Sequence, residues 1–219
     1  MIAFIRRYLD PAESLGEVLF GLIMALTFTL GANFLTPVSE VYPNEMVVAM
    51  LGCNVAWGII DGTLYLIGSV FSRNQRVQFV RRLRAMRTEP EAMAAIREEF
   101  GLDDEPPVSE ADQAAFHRVV LDIMRRANAD QASLRRRDYM AALLIAGLVF
   151  LTAVPGVLPF LLLDDTYLAL RVANLIQIGL LFWVGYHWAT HTGSRPWRAG
   201  LIIVALSVAL VVVSVVLGG

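Results

Sequence analysis

The sequence predicts an all-α integral membrane protein: five transmembrane helices with a cytosolic helical insert between helices 2 and 3. Three observations carry that prediction. Apolar residues make up 57% of the 219 positions, at a mean hydropathy of +0.58, whereas soluble domains hold about 45–50%. Five apolar runs are long enough to cross a hydrocarbon core of about 30 Å at a rise of 1.5 Å per residue. Between the second and third runs the chain becomes densely charged and must lie in water. The division is therefore 1–71 for helices 1 and 2, 72–137 for the insert, and 138–219 for helices 3 to 5.

The first span is expected over Leu15–Leu35; it carries Glu17 and has no small-residue cleavage site, so it does not read as a removable signal peptide. The second, Met46–Phe71, contains Asp61 in an otherwise apolar stretch. At a lipid-facing helix centre a carboxylate costs at least about 2.5–3.5 kcal/mol, so Asp61 is the foremost functional candidate. The remaining spans are expected over Ala141–Leu163, Leu168–Thr190 and Ala199–Gly219. Cys53, the only cysteine, excludes an intrachain disulfide and reads as a packing residue.

All 18 basic residues are arginines, and their distribution sets the expected orientation. Two precede the first span, thirteen separate the second from the third, and two separate the fourth from the fifth; only Arg171 falls in the alternate loops. The positive-inside rule then places the N-terminus and the insert in the cytoplasm and the C-terminus outside.

Charge within the insert is sorted by position. Ser72–Arg87 holds six arginines and no acid, and reads as a continuation of the second helix. Thr88–His117 holds nine acids against Arg97, and Arg118–Arg137 again holds six arginines. Both basic ends suit anionic headgroups, at about 1 kcal/mol per arginine. Thr88-Glu89-Pro90-Glu91 has the form of a capping box, followed by an apolar stripe of Met93, Ile96 and Phe100. After the loop Asp103-Asp104-Glu105-Pro106-Pro107, Ser109 and Asp112 start a second helix, with Phe116, Val119, Val120 and Ile123 along one face. Glu91, Glu98 and Glu99 lie on neighbouring positions of the first helix. Such carboxylates either collect a divalent cation or form a solvated acidic face. No Cys/His spacing suggests zinc, and His117 reads as an ordinary histidine.

A second polar set lies in the spans. Glu17, Gly21, Met24, Phe28 and Gly31 share one face of the first helix, and Asn54, Gly58, Asp61, Tyr65 and Gly68 one face of the second. Glycine stripes allow close helix approach, which would bring Glu17, Met24, Asn54 and Asp61 together away from lipid. The two carboxylates would form a path opening inward, and the Met24 thioether suits Fe²⁺ better than Mg²⁺. Glu17 has a second reading as a headgroup-level charge complementing its helix N-terminus. In the fourth span, His187 and His191 have a metal-clamping spacing but lie beside Trp183, Trp188 and Trp197, where an interfacial belt is expected. Asn174 and Gln177 read as residues that hold helices together by hydrogen bonds.

No phosphate loop, nucleophile elbow, zinc-protease motif or dinucleotide fingerprint occurs, so no enzymatic activity is expected. The arginine runs lack interleaved aromatics, which argues against nucleic-acid binding.

Five spans with a charged helical insert after the second resemble the vacuolar iron transporter family in its bacterial-type form. Thr152–Leu163 is similar to that family's proline-rich third span, and Arg84–Leu102 to the start of its cytosolic metal-binding insert. The family's Asp-Gly pair is expected on the first span, whereas here Asp61-Gly62 stands on the second and Glu17 on the first. The resemblance implies a homodimer in a bacterial inner membrane that exports cytosolic Fe²⁺ or Mn²⁺ in exchange for protons. It also implies a path along the first two spans at the dimer interface, with Glu91, Glu98 and Glu99 gathering metal. The metal is cargo, and no permanently bound cofactor is expected. The alternative expectation is a non-transporting membrane protein whose charged insert docks a soluble partner.

Overall fold

The computed structural model describes residues 5, 7–35, 41–101, 109–127, 130 and 133–217. These form seven helices: α1 (Pro11–Leu35), α2 (Pro43–Ala85), α3 (Glu89–Glu99), α4 (Glu110–Arg126), α5 (Arg136–Leu162), α6 (Thr166–Thr192) and α7 (Pro196–Val216). Five of them, α1, α2, α5, α6 and α7, are long and apolar enough to cross a membrane. The chain divides into two compact units, Met1–Leu66 with Arg136–Gly219, and Ile67–Arg135.

In the first unit, local chemistry sets the helix ends. Asp10 precedes α1 and accepts a hydrogen bond from the Ala12 amide at 2.8 Å, satisfying a first-turn donor. Asp165 caps α6 by accepting from the amides of Tyr167 and Leu168 at 2.9 and 3.3 Å. Gly193 closes α6 in the left-handed region at φ 67°, a conformation glycine adopts without a steric penalty. Pro196 then stands in the first turn of α7, where its missing N–H costs nothing.

Helix α1 packs against α5, α6 and α7, and α6 packs along α7. One apolar cluster joins Ala25, Met50, Ala153, Val157, Phe160 and Leu170; another joins Leu22, Leu26, Leu181, Val184, Val211 and Val215. In lipid such contacts depend on close packing, because leaving the hydrocarbon offers little further gain. Small residues supply it. A Cβ on Gly58 would come 2.9 Å from the Ala146 carbonyl oxygen, and one on Gly62 2.8 Å from that of Ala142, so α2 and α5 meet backbone to backbone. Gly58 of the expected α2 stripe thus finds its partner in α5, together with Gly62 from beside that stripe. Gly21 of α1 also faces α5, since its Cβ would overlap the Thr152 hydroxyl, whereas Gly31 meets Val215 of α7. The α1–α2 glycine seam expected from the sequence is replaced by contacts to the third span.

The second unit contains the end of α2 and the hairpin α3–α4. Its core is Phe79 and Leu83 from α2, Ala92 and Ile96 from α3, and Leu121 from α4, with Met93, Phe100, Val120 and Met124 packed around it. The rings of Phe79 and Phe100 meet edge to face at 6.0 Å. His117 is buried, and its Nε2–H donates to the Phe100 carbonyl at 3.0 Å. Ser109 caps α4, accepting from the Asp112 amide at 3.2 Å while its hydroxyl donates to the Asp112 carboxylate at 2.6 Å.

Two expectations are corrected in this unit. Thr88 stands at the N-cap of α3 but makes no side-chain cap hydrogen bond, so the capping box does not form and Pro90 alone marks the first turn. The inward face of α4 is His117, Val120, Leu121 and Met124, while Phe116, Val119 and Ile123 are 41%, 58% and 56% exposed. Leu121 fixes the rotation of α4 by packing on Ile96 and Leu83, which turns the other stripe outward. The loop Asp103–Pro107 and the last two glycines lie outside the described residues.

The α2–α5 approach gives a direct test. Gly58→Ala must push two backbones apart and should cost about 1–3 kcal/mol, read as a lower thermal midpoint in detergent. Gly52→Ala on the same helix has open space at its Cβ and should be neutral or stabilising, since alanine is the better helix former.

Candidate functional site

Asp61 and Glu17 meet in one cleft of about 450 Å³, lined by Glu13, Gly16, Glu17 and Phe20 of α1, Asp61, Leu64 and Tyr65 of α2, and Ile145 of α5. Each element supplies its part for a local reason. Glu13 and Glu17 are one turn apart and so share a helix face. Gly16 leaves open space where a side chain would stand. Asp61 is placed by the two glycines that flank it on α2, Gly58 and Gly62, both in backbone contact with α5. Its Oδ2 is buried and has no hydrogen-bond partner among the described residues. Beside the cleft, Phe20 meets Trp57 edge to face at 5.7 Å. Among the described residues, no three His, Cys, Asp or Glu side chains converge into a ready-made metal cage.

Two turns along α2 from Asp61, Asn54 is fully buried. Its Nδ2 donates to the carbonyls of Gly21 at 3.2 Å and Val149 at 2.9 Å, and lies 3.3 Å from the Thr152 hydroxyl. This amide therefore ties α1, α2 and α5 together. Among the described residues its Oδ1 has no partner, nor do Oδ1 of Asn174 and both amide atoms of Gln177. The hydrogen-bonding role expected for Asn174 and Gln177 is not what those atoms do: Asn54 holds the helices together instead. Met24 is half-buried and lies outside the cleft lining.

The model of the VIT family matches residues 70–219, about two thirds of the chain. The chain belongs to the VIT family. Membership indicates metal-ion transport and a transporter in place of an enzyme. No curated protein matches the chain. The matched stretch starts after Asp61, so all three cleft carboxylates, Glu13, Glu17 and Asp61, lie outside it, while the α3–α4 hairpin and the last three spans of this VIT-family protein lie within.

The remaining candidate residues separate cleanly. Glu91, Glu98 and Glu99 are exposed on α3 and do not join into a three-ligand group. His187 sits against Trp183 with ring centroids 4.5 Å apart, and Trp183 and Trp197 are exposed. The His191 side chain lies outside the described residues. Glu13 was not singled out by the sequence reading. Its signal is the one-turn spacing to Glu17, easily taken for a helix-start charge.

Asn54 should be structurally sensitive. Asn54→Ala is expected to cost about 1–2 kcal/mol, the range for polar pairs between membrane helices. Asn54→Asp should cost more, because it replaces a donor with an oxygen facing two carbonyls. Thermal unfolding of the purified full-length protein gives both values.

Proposed function

We propose that the protein exports a divalent metal cation, Fe²⁺ or Mn²⁺, from the cytoplasm in exchange for protons. The observation that carries this reading is the single cleft lined by both Glu17 and Asp61. Two carboxylates match the charge of a divalent cation, and oxygen donors with room for water suit a metal that must also leave. Protons and metal compete for the same oxygens, so loading metal releases protons. The exchange of two protons for one dication would leave the pair's charge balanced in both states.

The arginine distribution supports an inward-facing cleft, since Glu17 lies early in α1 and Asp61 lies in the half of the second span nearer Arg73. In this reading the α3–α4 hairpin is cytosolic, the protein is a homodimer of the inner membrane, and Glu91, Glu98 and Glu99 raise the local cation concentration. The exposed Phe116, Val119 and Ile123 stripe favours a second reading, in which the hairpin docks a soluble partner.

Asp61→Asn preserves size and hydrogen bonding but removes one charge. At about 4 Å and an effective dielectric of about 20, that charge attracts a unit charge by about 4 kcal/mol and a dication by about twice as much, at least about a thousandfold in cation affinity. Metal flux in proteoliposomes should therefore fall to background, along with the opposing proton flux reported by an internal pH dye. Wild-type flux from a well-folded Asn variant would sink the proposal.

Replacing Glu91, Glu98 and Glu99 with Gln in the full-length protein should raise the metal concentration for half-maximal flux and leave maximal flux unchanged. An unaltered concentration dependence would assign those carboxylates to solvation.

A further inference from the structure

We propose that a basic cleft at the start of α5 binds the phosphate of an anionic phospholipid headgroup, with the lipid's acyl chains lying along that helix. The cleft has a volume of about 710 Å³ and is lined by Arg7 and Tyr8 together with residues of α5 from Arg136 to Leu143. It shares no lining residue with the carboxylate cleft and does not depend on the transport reading.

Local packing brings the two halves of the cleft together. The amides of Tyr8 and Leu9 donate to the Ile5 carbonyl, both at 2.9 Å, closing a turn ahead of α1. Leu9 is buried with Ala141 and Ile145 of α5, and Tyr8 packs at the edge of that cluster. This anchor holds Arg7 beside Arg136 and Arg137, although the chain between them is long. The residues of α5 then sort by face. Asp138, Ala141, Ala142 and Ile145 are buried. Arg136, Tyr139, Met140 and Leu143 stand at i, i+3, i+4 and i+7, which is the opposite face. Tyr139 and Leu143 are 55% and 66% exposed there. Asp138 is thus turned away from the cleft, whose lining holds three arginines and no acid among the described residues.

The lining is graded along the helix axis in the order of a phospholipid. The arginines stand at the start of α5, Tyr139 follows, and Met140 and Leu143 come last. Leu143 is seven residues from Arg136, about 10 Å further along by helical rise. Since α5 is long and apolar enough to cross a membrane, this gradient spans the boundary of the bilayer. Guanidinium groups meet phosphate oxygens through paired, charge-assisted hydrogen bonds. A tyrosine ring suits the headgroup level, and the methionine and leucine offer apolar surface below it. A free phosphate would meet the arginines but leave that apolar half unused. A zwitterionic headgroup would bring its own cation against three guanidinium groups.

Phosphatidylglycerol, titrated onto the detergent-solubilised full-length protein and counted by native mass spectrometry, is the probe. Wild-type protein should bind it at least about tenfold more tightly than phosphatidylcholine, and inorganic phosphate at the same concentration should not displace it. Replacing Arg7, Arg136 and Arg137 together with Gln should weaken binding about a hundredfold, and each single Arg→Gln change about fivefold, at about 1 kcal/mol per arginine. Arg118, Arg125 and Arg126 are exposed on α4, and replacing those three with Gln should change binding by less than about twofold, because distant surface charges are screened. Thermal midpoints without lipid report whether each variant is folded, and the single variants decide the matter if the triple one is not. Equal affinity for phosphatidylcholine overturns the proposal, and so does an equal loss in the α4 variant, which would make the attraction a general effect of charge. Displacement by inorganic phosphate would make this a site for a free anion and overturns the lipid assignment.

Discussion

Where α2 lies against α5, Gly58 and Gly62 face the carbonyls of Ala146 and Ala142 at distances that leave no room for even a methyl group. Much of the first unit's functional geometry depends on that approach. It sets the depth of Asp61, which lies between the two glycines in sequence, and it fixes how far α2 stands from the α1 face bearing Glu17. It also brings Asn54 within hydrogen-bonding distance of Val149. In a bilayer such contact is a chief source of helix association, since the surrounding hydrocarbon competes equally well for apolar side chains. A seam built from backbone atoms does not repack the way a leucine interface can.

Polar groups within the spans fall into two kinds. Asn54 Nδ2 spends its hydrogen-bonding capacity on carbonyls of two other helices and so adds cohesion, while Thr152 and Thr29 satisfy theirs on carbonyls of their own helices. Among the described residues, Asp61 Oδ2, Asn174 Oδ1 and both amide atoms of Gln177 have no such partner. The contrast matters because both kinds look alike in a list of intramembrane polar residues. Hydrogen-bond accounting separates residues that stabilise the bundle from residues whose cost must be offset elsewhere.

Much of the fold was legible in the sequence for simple physical reasons. Spans are long and apolar, and a twenty-residue signal survives errors of a few residues at each end; Pro11, Pro43 and Pro196 extend the observed helices only slightly past the expected starts. The hairpin of the insert was legible through Ser109, Pro90 and the Met93–Ile96–Phe100 stripe. The Glu17–Asp61 pairing was legible as two stripes of equal spacing, because the shared cleft needs only one face from each helix. What was not legible depends on partners distant in sequence. Which helix a glycine stripe will meet is decided by the bundle, so the seam was assigned to α1 when it belongs to α5. The rotation of α4 was set by Leu121 against a core formed from two other helices, which a single amphipathic pattern does not reveal. Whether an amide is paired or orphaned also needs the third dimension, and for that reason Gln177 was misread as a tie between helices.

Helix α5 has opposite mechanical properties at its two ends. Around Ala142 and Ala146 its backbone is wedged against α2, whereas Pro155 and Pro159 remove two rungs from its hydrogen-bond ladder. A helix missing those rungs bends there at little further enthalpic cost, and prolines are among the usual causes of such kinks. The compliance of the bundle is thus concentrated next to Gly156, and its stiffness next to the carboxylate cleft. If the proposed transport involves a change of access from one side of the membrane to the other, the prolines are where the bundle would pivot, with the Glu17–Asp61 cleft left undisturbed.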